Sequence, residues 1–272
     1  MRIHIQQLSD VNLAIFAKLN MAIVLTGTII PNTKVTHSDW RQRRKEYIHA
    51  LKYYSRYAPV FFLENSSYNI FDDEEFMNIT NVVYRKFLVE EADNIFISGL
   101  HGFHGMGYQE FQMLDTWILN EPYLPKYWFK ISGRYIIENM SLMIKDCCSN
   151  KYDLIMDVWW LYKWAVTYVF YVSSEYYCTV FLNKYLGCVH GDIERVLYYA
   201  FNESYSFKTR FFPHEPLVSA ISGGNGKKMF QKEGFSLLWV NLCRTINGGI
   251  SSQRLFYFNP RRILRALWHR MA

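Results

Sequence analysis

Three groups of residues have the types and spacing for chemistry on an anion. The first is Tyr127 to Asn139, YWFKISGRYIIEN, where an apolar run delivers Lys130 to the end of a strand, Ser132-Gly133 makes a turn and Arg134 follows. Glycine lets a backbone approach a ligand closely, and the two cations offer charge-assisted hydrogen bonds, so this turn can cradle a phosphate. The same turn also serves as plain punctuation between strands. The second group is GFHGMGYQE (102–110), in which Gly105, Gly107 and Tyr108 lie just ahead of an amphipathic helix carrying Phe111, Leu114 and Ile118. Backbone N–H groups at such a helix start can face an anion. His104 and Glu110 in this stretch can do acid–base or hydroxyl-binding work, with Glu215 of PHEP (213–216) as a further candidate. The third group is a pair of short loops, Thr26-Gly27-Thr28 and Glu64-Asn65-Ser66, each closing an apolar run. His101 and His104 lie three apart with no third ligand in view, so a metal site is not expected.

These loops need elements to hold them. Ala22 to Leu25 is a continuous apolar run, the form of a buried parallel strand, and Pro59 to Leu63 is a second. Between them Asp39 and Gln42 resemble a capping box, and Tyr47, Ile48, Leu51 and Tyr54 keep helical spacing. Two strands joined by one helix make a βαβ unit, so a right-handed crossover and a parallel sheet follow. Ligands bind at the carboxyl ends of such strands, which places the Thr26 and Glu64 loops side by side. Arg41, Arg43, Arg44 and Lys45 crowd the first turns of the helix against its macrodipole, which signals either a nearby anion or a solvated basic face. The acidic stretch Phe71 to Phe76 reads as a solvated loop or a helix start.

Beyond the central turn, a helix is expected over 137–148, strands over 153–160 and 167–172, and helices over 175–185 and 192–205. The last of these turns Ile193, Val196, Leu197, Ala200 and Phe201 inward and keeps Glu194 and Glu203 elsewhere on its surface. Asp157-Val158-Trp159 lacks the second carboxylate of a DxD metal motif. SGGNGKK (222–228) lacks the Gly-Lys-Ser/Thr ending of a phosphate loop and reads as a lid or a long surface turn. The fold class is α/β, Rossmann-like, with a mostly parallel central sheet flanked by helices. Residues 1–20 read as an extension with Met21 a candidate start, 21–258 as a single domain, and 259–272 as a tail. That tail, NPRRILRALWHRMA, sets Ile263, Leu264, Leu267, Trp268 and Met271 on one face amid four arginines, which suits an anionic membrane surface.

With 272 residues, 50% hydrophobic and 20% charged, the chain supports a large core, which excludes global disorder. A net charge of +6 suits anionic substrates or an anionic membrane surface and is mild for a nucleic-acid binder. Five cysteines, odd in number and without a CxxC pair, argue for a reducing compartment and against zinc. No apolar run is long enough for a spanning helix, and the first 19 residues make a poor signal peptide. A cytoplasmic location is expected, with peripheral attachment to the inner face of the membrane through the tail.

In order, the pieces VLTGTIIP (24–31), RKEYIHALKYY (44–54), FFLENSSY (61–68), GFHGMGYQE (102–110) and FKISGRYII (129–137) resemble bacterial glycosyltransferase-like proteins of lipopolysaccharide and capsule synthesis. They cover roughly the N-terminal half, and LVSAISGGNG (217–226) looks similar further on. The resemblance implies a GT-A-type sheet, a nucleotide-sugar donor and a glycan or lipid-linked acceptor, with no nucleic-acid partner. It implies that Thr26, Gly27, Thr28, Glu64, Asn65 and Ser66 line the nucleotide side, with Gly105, Gly107 and Tyr108 also at the donor. Lys130, Gly133 and Arg134 fall where many such enzymes carry their DxD metal motif, and a cationic turn stands in place of two carboxylates. Transfer without a metal or other cofactor is the expectation, Lys130 and Arg134 neutralising the leaving diphosphate. Glu110 is the first choice for the base, ahead of Glu215 and His104. Two rival classes share parts of the pattern. An S-adenosylmethionine-dependent methyltransferase needs an acidic end to its second strand, which Glu64 supplies, but also a first loop richer in glycine than Thr26-Gly27-Thr28. A nucleic-acid or scaffold protein needs basic and aromatic residues interleaved on one element, and here they are mostly separate.

Overall fold

The computed structural model describes residues 2–5, 20–31, 38–88, 106–148, 152–159, 162–187, 192–204, 206–220 and 234–248. Strand β1 (Arg2–Ile5) is followed by β2 (Met21–Gly27), helix α1 (Trp40–Tyr54), β3 (Val60–Glu64), the short α2 (Glu74–Met77) and β4 (Val82–Leu88). Helix α3 (Met106–Asn120) leads to β5 (Tyr127–Ser132), β6 (Ile136–Ile137) and α4 (Met140–Cys147). Five short strands follow in the C-terminal half: β7 (Leu154–Ile155), β8 (Val158–Trp159), β9 (Trp164–Ala165), β10 (Val169–Ser173) and β11 (Thr209–Arg210). Helix α5 (Ile193–Glu203) lies between β10 and β11, and β12 (Val218–Ser219) and α6 (Gly234–Gly248) close the described chain.

Eight strands form one sheet in the order β1-β4-β3-β2-β5-β10-β7-β11. Strands β4, β3, β2 and β5 are parallel, β7 and β11 share their direction across the antiparallel β10, and β1 runs antiparallel on the outer edge of β4. The expected α/β, Rossmann-like, mostly parallel sheet is therefore present. Residues 2–5, from the segment set apart as an extension, are a strand of this sheet.

Period-two alternation inside each central strand feeds two cores. Ala22, Val24, Phe61, Leu63 and Trp128 pack with α3 (Phe111, Leu114, Trp117) and α5 (Leu197, Phe201) on one face. Ile23, Leu25, Phe62, Phe129 and Ile131 pack with α1 (Tyr47, Ile48, Leu51, Tyr54) and α4 (Met140, Met143) on the other. Helix α1 starts where its pattern predicts, with the Asp39 carboxylate accepting from the Arg41 N–H at 2.9 Å. Its basic first turns are largely taken up inside the protein. Arg43 is buried and donates to the Thr28 and Ile29 carbonyls, and Arg44 pairs with Asp73 at 2.6 Å and Glu75 at 3.1 Å.

Three elements depart from the sequence expectation. The strand expected over 153–160 is broken at Met156-Asp157 into β7, which joins the large sheet, and β8, which pairs with β9 in a separate hairpin, and Asp157 in the break pairs with Arg244. The run VVYRKFL is strand β4, although Arg85 and Lys86 interrupt its apolar pattern. Both charges are neutralised within the fold, Arg85 by Glu121 of α3 at 2.8 and 3.1 Å and Lys86 by Glu64 of β3. The expected helix over 175–185 is instead a short helical turn at Ser174–Tyr176 followed by a π-turn at Tyr177–Phe181. Asp115 of α3 holds that irregular stretch, accepting from the Tyr177 hydroxyl at 2.7 Å and the Asn183 N–H at 2.6 Å. Among the described residues no helix is long and apolar enough to cross a membrane, and Cys147, Cys148 and Cys178 are free thiols.

Candidate functional site

The chain lays down β2, then β3 and β4 to one side of it, and then returns to place β5 on the other side of β2. The order of strands reverses between β2 and β5, and in open α/β sheets the ligand crevice lies beyond the carboxyl ends at such a switch point. The residues found there are Thr26 and Gly27 on β2, Ser132 at the end of β5 with Gly133 just after it, and Glu110 arriving on α3.

Glu110 is the hub. Its Oε1 lies 2.7 Å from Lys130 Nζ, accepts from the Thr26 hydroxyl and lies 3.4 Å from the Ser132 hydroxyl. Among the described residues all three partners meet Oε1 and none is recorded at Oε2. The Glu110 side chain keeps 22% of its surface open whereas Lys130 keeps none. Lys130 also donates to the Thr167 carbonyl at 2.7 Å and to Ser132 Oγ at 3.2 Å, which fixes its ammonium in place. Burial holds the Lys130 ammonium below the ordinary lysine range, with the charge of Glu110 opposing that fall. Glu194, in the first turn of α5, accepts from the Thr167 hydroxyl at 3.4 Å and feels Lys130 electrostatically. Burial lifts its carboxyl above the usual range, and the negative charge of Glu110 adds to the lift. One ammonium is thus paired with Glu110, and Glu194 reaches the same neighbourhood through Thr167, whose carbonyl takes the Lys130 ammonium.

The glycine of the Ser-Gly-Arg turn serves strand approach. Gly133 N–H donates to the Thr26 carbonyl at 2.8 Å, and a Cβ at this position would sit 2.5 Å from that oxygen. Arg134 turns to α1, where Nη1 lies 2.8 Å from Glu46 Oε2. Lys130 and Arg134 therefore face opposite sides of the sheet, each with an internal carboxylate partner.

The two flanking loops are cross-tied. Glu64 is fully buried and accepts from the Ile29 N–H at 3.1 Å, the Ser66 N–H at 2.9 Å and the Ser66 hydroxyl. Thr28 donates through its hydroxyl to Asn65 Oδ1 at 2.5 Å, and its N–H reaches the Tyr47 hydroxyl at 2.9 Å. Ser66 Oγ accepts from the Ile30 N–H at 3.1 Å. In this structure Glu64, Asn65 and Ser66 spend their polar groups shaping the β2 and β3 loops side by side. A Cβ on Gly27 would meet the Phe62 ring at 2.6 Å, and one on Gly107 would meet Ile193 of α5 at 2.4 Å. Tyr108 packs edge-on to Tyr185, ring centroids 4.8 Å apart.

Glu215 belongs to another charge group, in which Arg244 of α6 reaches its carboxylate at 2.9 Å and both oxygens of Asp157 at 2.7 Å. His104 and Gly105 lie outside the described residues, as do the 222–228 loop and the 259–272 tail. The structure thus brings Thr26, Gly27, Glu110, Lys130 and Gly133 together and sets Arg134 and Glu215 apart from them. Thr167 and Glu194 were not singled out from sequence. Glu194 is half-buried in the first turn of α5, where it accepts from the Thr167 hydroxyl. A carboxylate directly after the inward Ile193 was the available signal. Among the described residues no group of three His, Cys, Asp or Glu side chains can hold a metal ion.

Fold and site together define an α/β protein of Rossmann-like architecture. No family model matches the chain, and no curated protein matches it. Among solved structures it is similar to HddC from Yersinia pseudotuberculosis, at 9% identity and a TM-score of 0.36, over 70% of this chain and 89% of that one. A likeness of that size carries no argument about activity.

Proposed function

We propose that this chain is a glycosyltransferase that moves a sugar from a nucleotide-linked donor to a glycan or lipid-linked acceptor, with no divalent metal at the leaving group. One observation carries the reading: a partly open carboxylate, Glu110, is held by Lys130, Thr26 and Ser132 at the strand-order switch point. The ordered pieces that resemble surface-polysaccharide glycosyltransferases supply the sugar. In this reading the acceptor hydroxyl gives its proton to Glu110 Oε2 as its oxygen bonds to the anomeric carbon. The donor's bond from that carbon to the diphosphate breaks, its electron pair leaving with the nucleoside diphosphate. Lys130 holds Glu110 in place, and Arg134 exchanges Glu46 for the departing phosphate. The basic tail brings the enzyme to a lipid-linked acceptor.

Thermal unfolding with UDP, GDP, CMP, ADP or S-adenosylmethionine, each in Mn²⁺ and in EDTA, tests this. A ligand at about a hundred times its dissociation constant adds roughly 2.7 kcal/mol, an easily seen shift. One nucleotide is expected to stabilise the protein in EDTA, weakly in Arg134→Ala and fully in Glu110→Gln, and Glu110→Gln is expected to abolish transfer. Stabilisation only with Mn²⁺ would overturn the metal-free part. Silence from every nucleotide with a response to S-adenosylmethionine would sink the glycosyl reading.

A further inference from the structure

The β8–β9 hairpin and the helix packed against it carry aromatic rings that face water. Trp159 and Tyr162 of the hairpin and Tyr199 of α5 keep 41%, 37% and 46% of their surface open. Trp159 lies opposite the half-buried Trp164, and its ring meets Tyr162 edge-on with centroids 6.4 Å apart. Tyr198 stands edge-on to Tyr199 at 5.5 Å. At the hairpin tip Lys163 has a φ of 50°, a left-handed backbone that a glycine adopts at less cost. Its Nζ lies 5.8 Å from the centre of the Tyr199 ring, so the strained tip ties the hairpin rings to the helix ring. Open rings gathered in one patch mark a binding surface.

The chemistry of the patch selects its ligand. Among the described residues of 158–165 and 192–203, the exposed large apolar side chains are all Trp or Tyr, none aliphatic. The same stretches set Lys163 and Arg195 against Asp192, Glu194 and Glu203, and Arg195 pairs with Asp192 at 3.3 Å. A polyanion, whether nucleic acid or an anionic membrane, gains nothing from that balance. A pyranose chair turns weakly positive C–H groups to the negative face of an aromatic ring and leaves its rim of hydroxyls to water and to polar ring edges. Flat, wet rings without an excess of positive charge fit that ligand. The patch also adjoins the candidate site. Two residues past β9, the Thr167 carbonyl takes the Lys130 ammonium, and the Thr167 hydroxyl donates to Glu194 on the helix that carries Tyr199. We propose that Trp159, Tyr162 and Tyr199 form a platform on which a pyranose ring of an uncharged glycan stacks, the acceptor of the transfer above.

The part as acceptor rests on the transferase reading, but glycan binding needs neither donor nor Glu110, so the two fail separately. The test is NMR titration of the full chain, labelled at its tryptophan indole nitrogens, with malto-, cello-, manno-, galacto- and chitohexaose, and separately with an oligothymidylate. At least one oligosaccharide is expected to move the Trp159 indole signal, identified by its loss in Trp159→Phe, with saturation transfer to the sugar's ring C–H protons. The double variant Trp159→Ala/Tyr199→Ala changes exposed side chains, so it is expected to keep its melting temperature and to bind about tenfold more weakly. The wild-type signals carry the test whether or not that variant folds. The proposal is overturned if no oligosaccharide moves the Trp159 signal, or if a folded double variant binds as well as wild type. A Trp159 signal that moves with the oligothymidylate and with no sugar overturns it too, as does one that moves only with protein concentration, which marks a face for a second copy. Sugar binding by a protein that ignores every nucleotide leaves the platform standing and removes its part as acceptor.

Discussion

At the residue scale, buried charge in this protein is paired by groups distant in sequence, and among the described residues no cation pairs with the buried carboxylate of Asp115. Asp115 is held by a phenol and a backbone N–H, and burial pushes its carboxyl up to about 6 although both hydrogen bonds pull it down. The folded state keeps this proton to higher pH than the unfolded chain. The contribution of Asp115 is therefore full below the ordinary carboxyl value and is lost as pH rises through about 6. The loss amounts to about 3 kcal/mol. Urea unfolding from pH 4 to pH 7 is expected to show this fall in the wild type and not in Asp115→Asn; equal slopes would remove Asp115 as the source. Glu110 differs in having a cation beside it, a hydroxyl from each flanking strand and an open edge, which is why it, and not Asp115, is the candidate base.

At the element scale, the site depends on how closely α3 approaches α5, and Gly107 sets that distance. A methyl at Gly107 would collide with Ile193 Cγ2 at 2.4 Å and push α5 away from α3, the helix that brings Glu110 to Lys130. Gly107→Ala is expected to cost about 1–3 kcal/mol and Ile193→Ala about 2–5 kcal/mol. The double variant should cost less than their sum by about 1 kcal/mol, because the added methyl fills part of the vacated space. Chemical unfolding of the four proteins measures this coupling, and strict additivity would mean the two positions do not touch. The elements legible in sequence were those whose pattern is local. Strands β2 and β3 are continuous apolar runs leading into short polar loops, β5 opens on the apolar run Tyr127 to Phe129, and α1 declares itself by Asp39 and its helical spacing. Strand β4 escaped because Arg85 and Lys86 break its pattern, and the carboxylates that neutralise them sit 36 and 22 residues away. For the same reason Lys130 was visible as a cation ending a strand while its capture by Glu110 was not. The turn glycine looked made for a ligand, yet what comes close to Gly133 is the Thr26 carbonyl of the neighbouring strand. The π-turn at 177–181 was read as helix because its cause, Asp115, lies 62 residues earlier.

At the scale of the whole molecule, the parallel sheet between two apolar layers is the rigid part and α6 is the part held by charge. Strands β2, β3 and β5 are buried on both faces, so their amides open only when the sheet itself unfolds. Helix α6 leaves Phe235, Leu238 and Leu242 open to solvent and is tied to the body by Arg244 and Asn241, with Val240 buried beside them. Its hydrogen-exchange free energy is expected to lie well below that of β2, β3 and β5. Replacing Arg244 by methionine removes the guanidinium from between two carboxylates, Asp157 and Glu215, and leaves them facing each other. A change of that kind costs about 3–5 kcal/mol when the pair stays buried, a cost the chain avoids by letting the helix go. In Arg244→Met the amides of 234–248 should therefore exchange almost freely while those of β2, β3 and β5 keep wild-type protection. Loss of protection across both regions would mean that α6 and the sheet unfold as one unit, and that the charge group on Arg244 supports the whole fold.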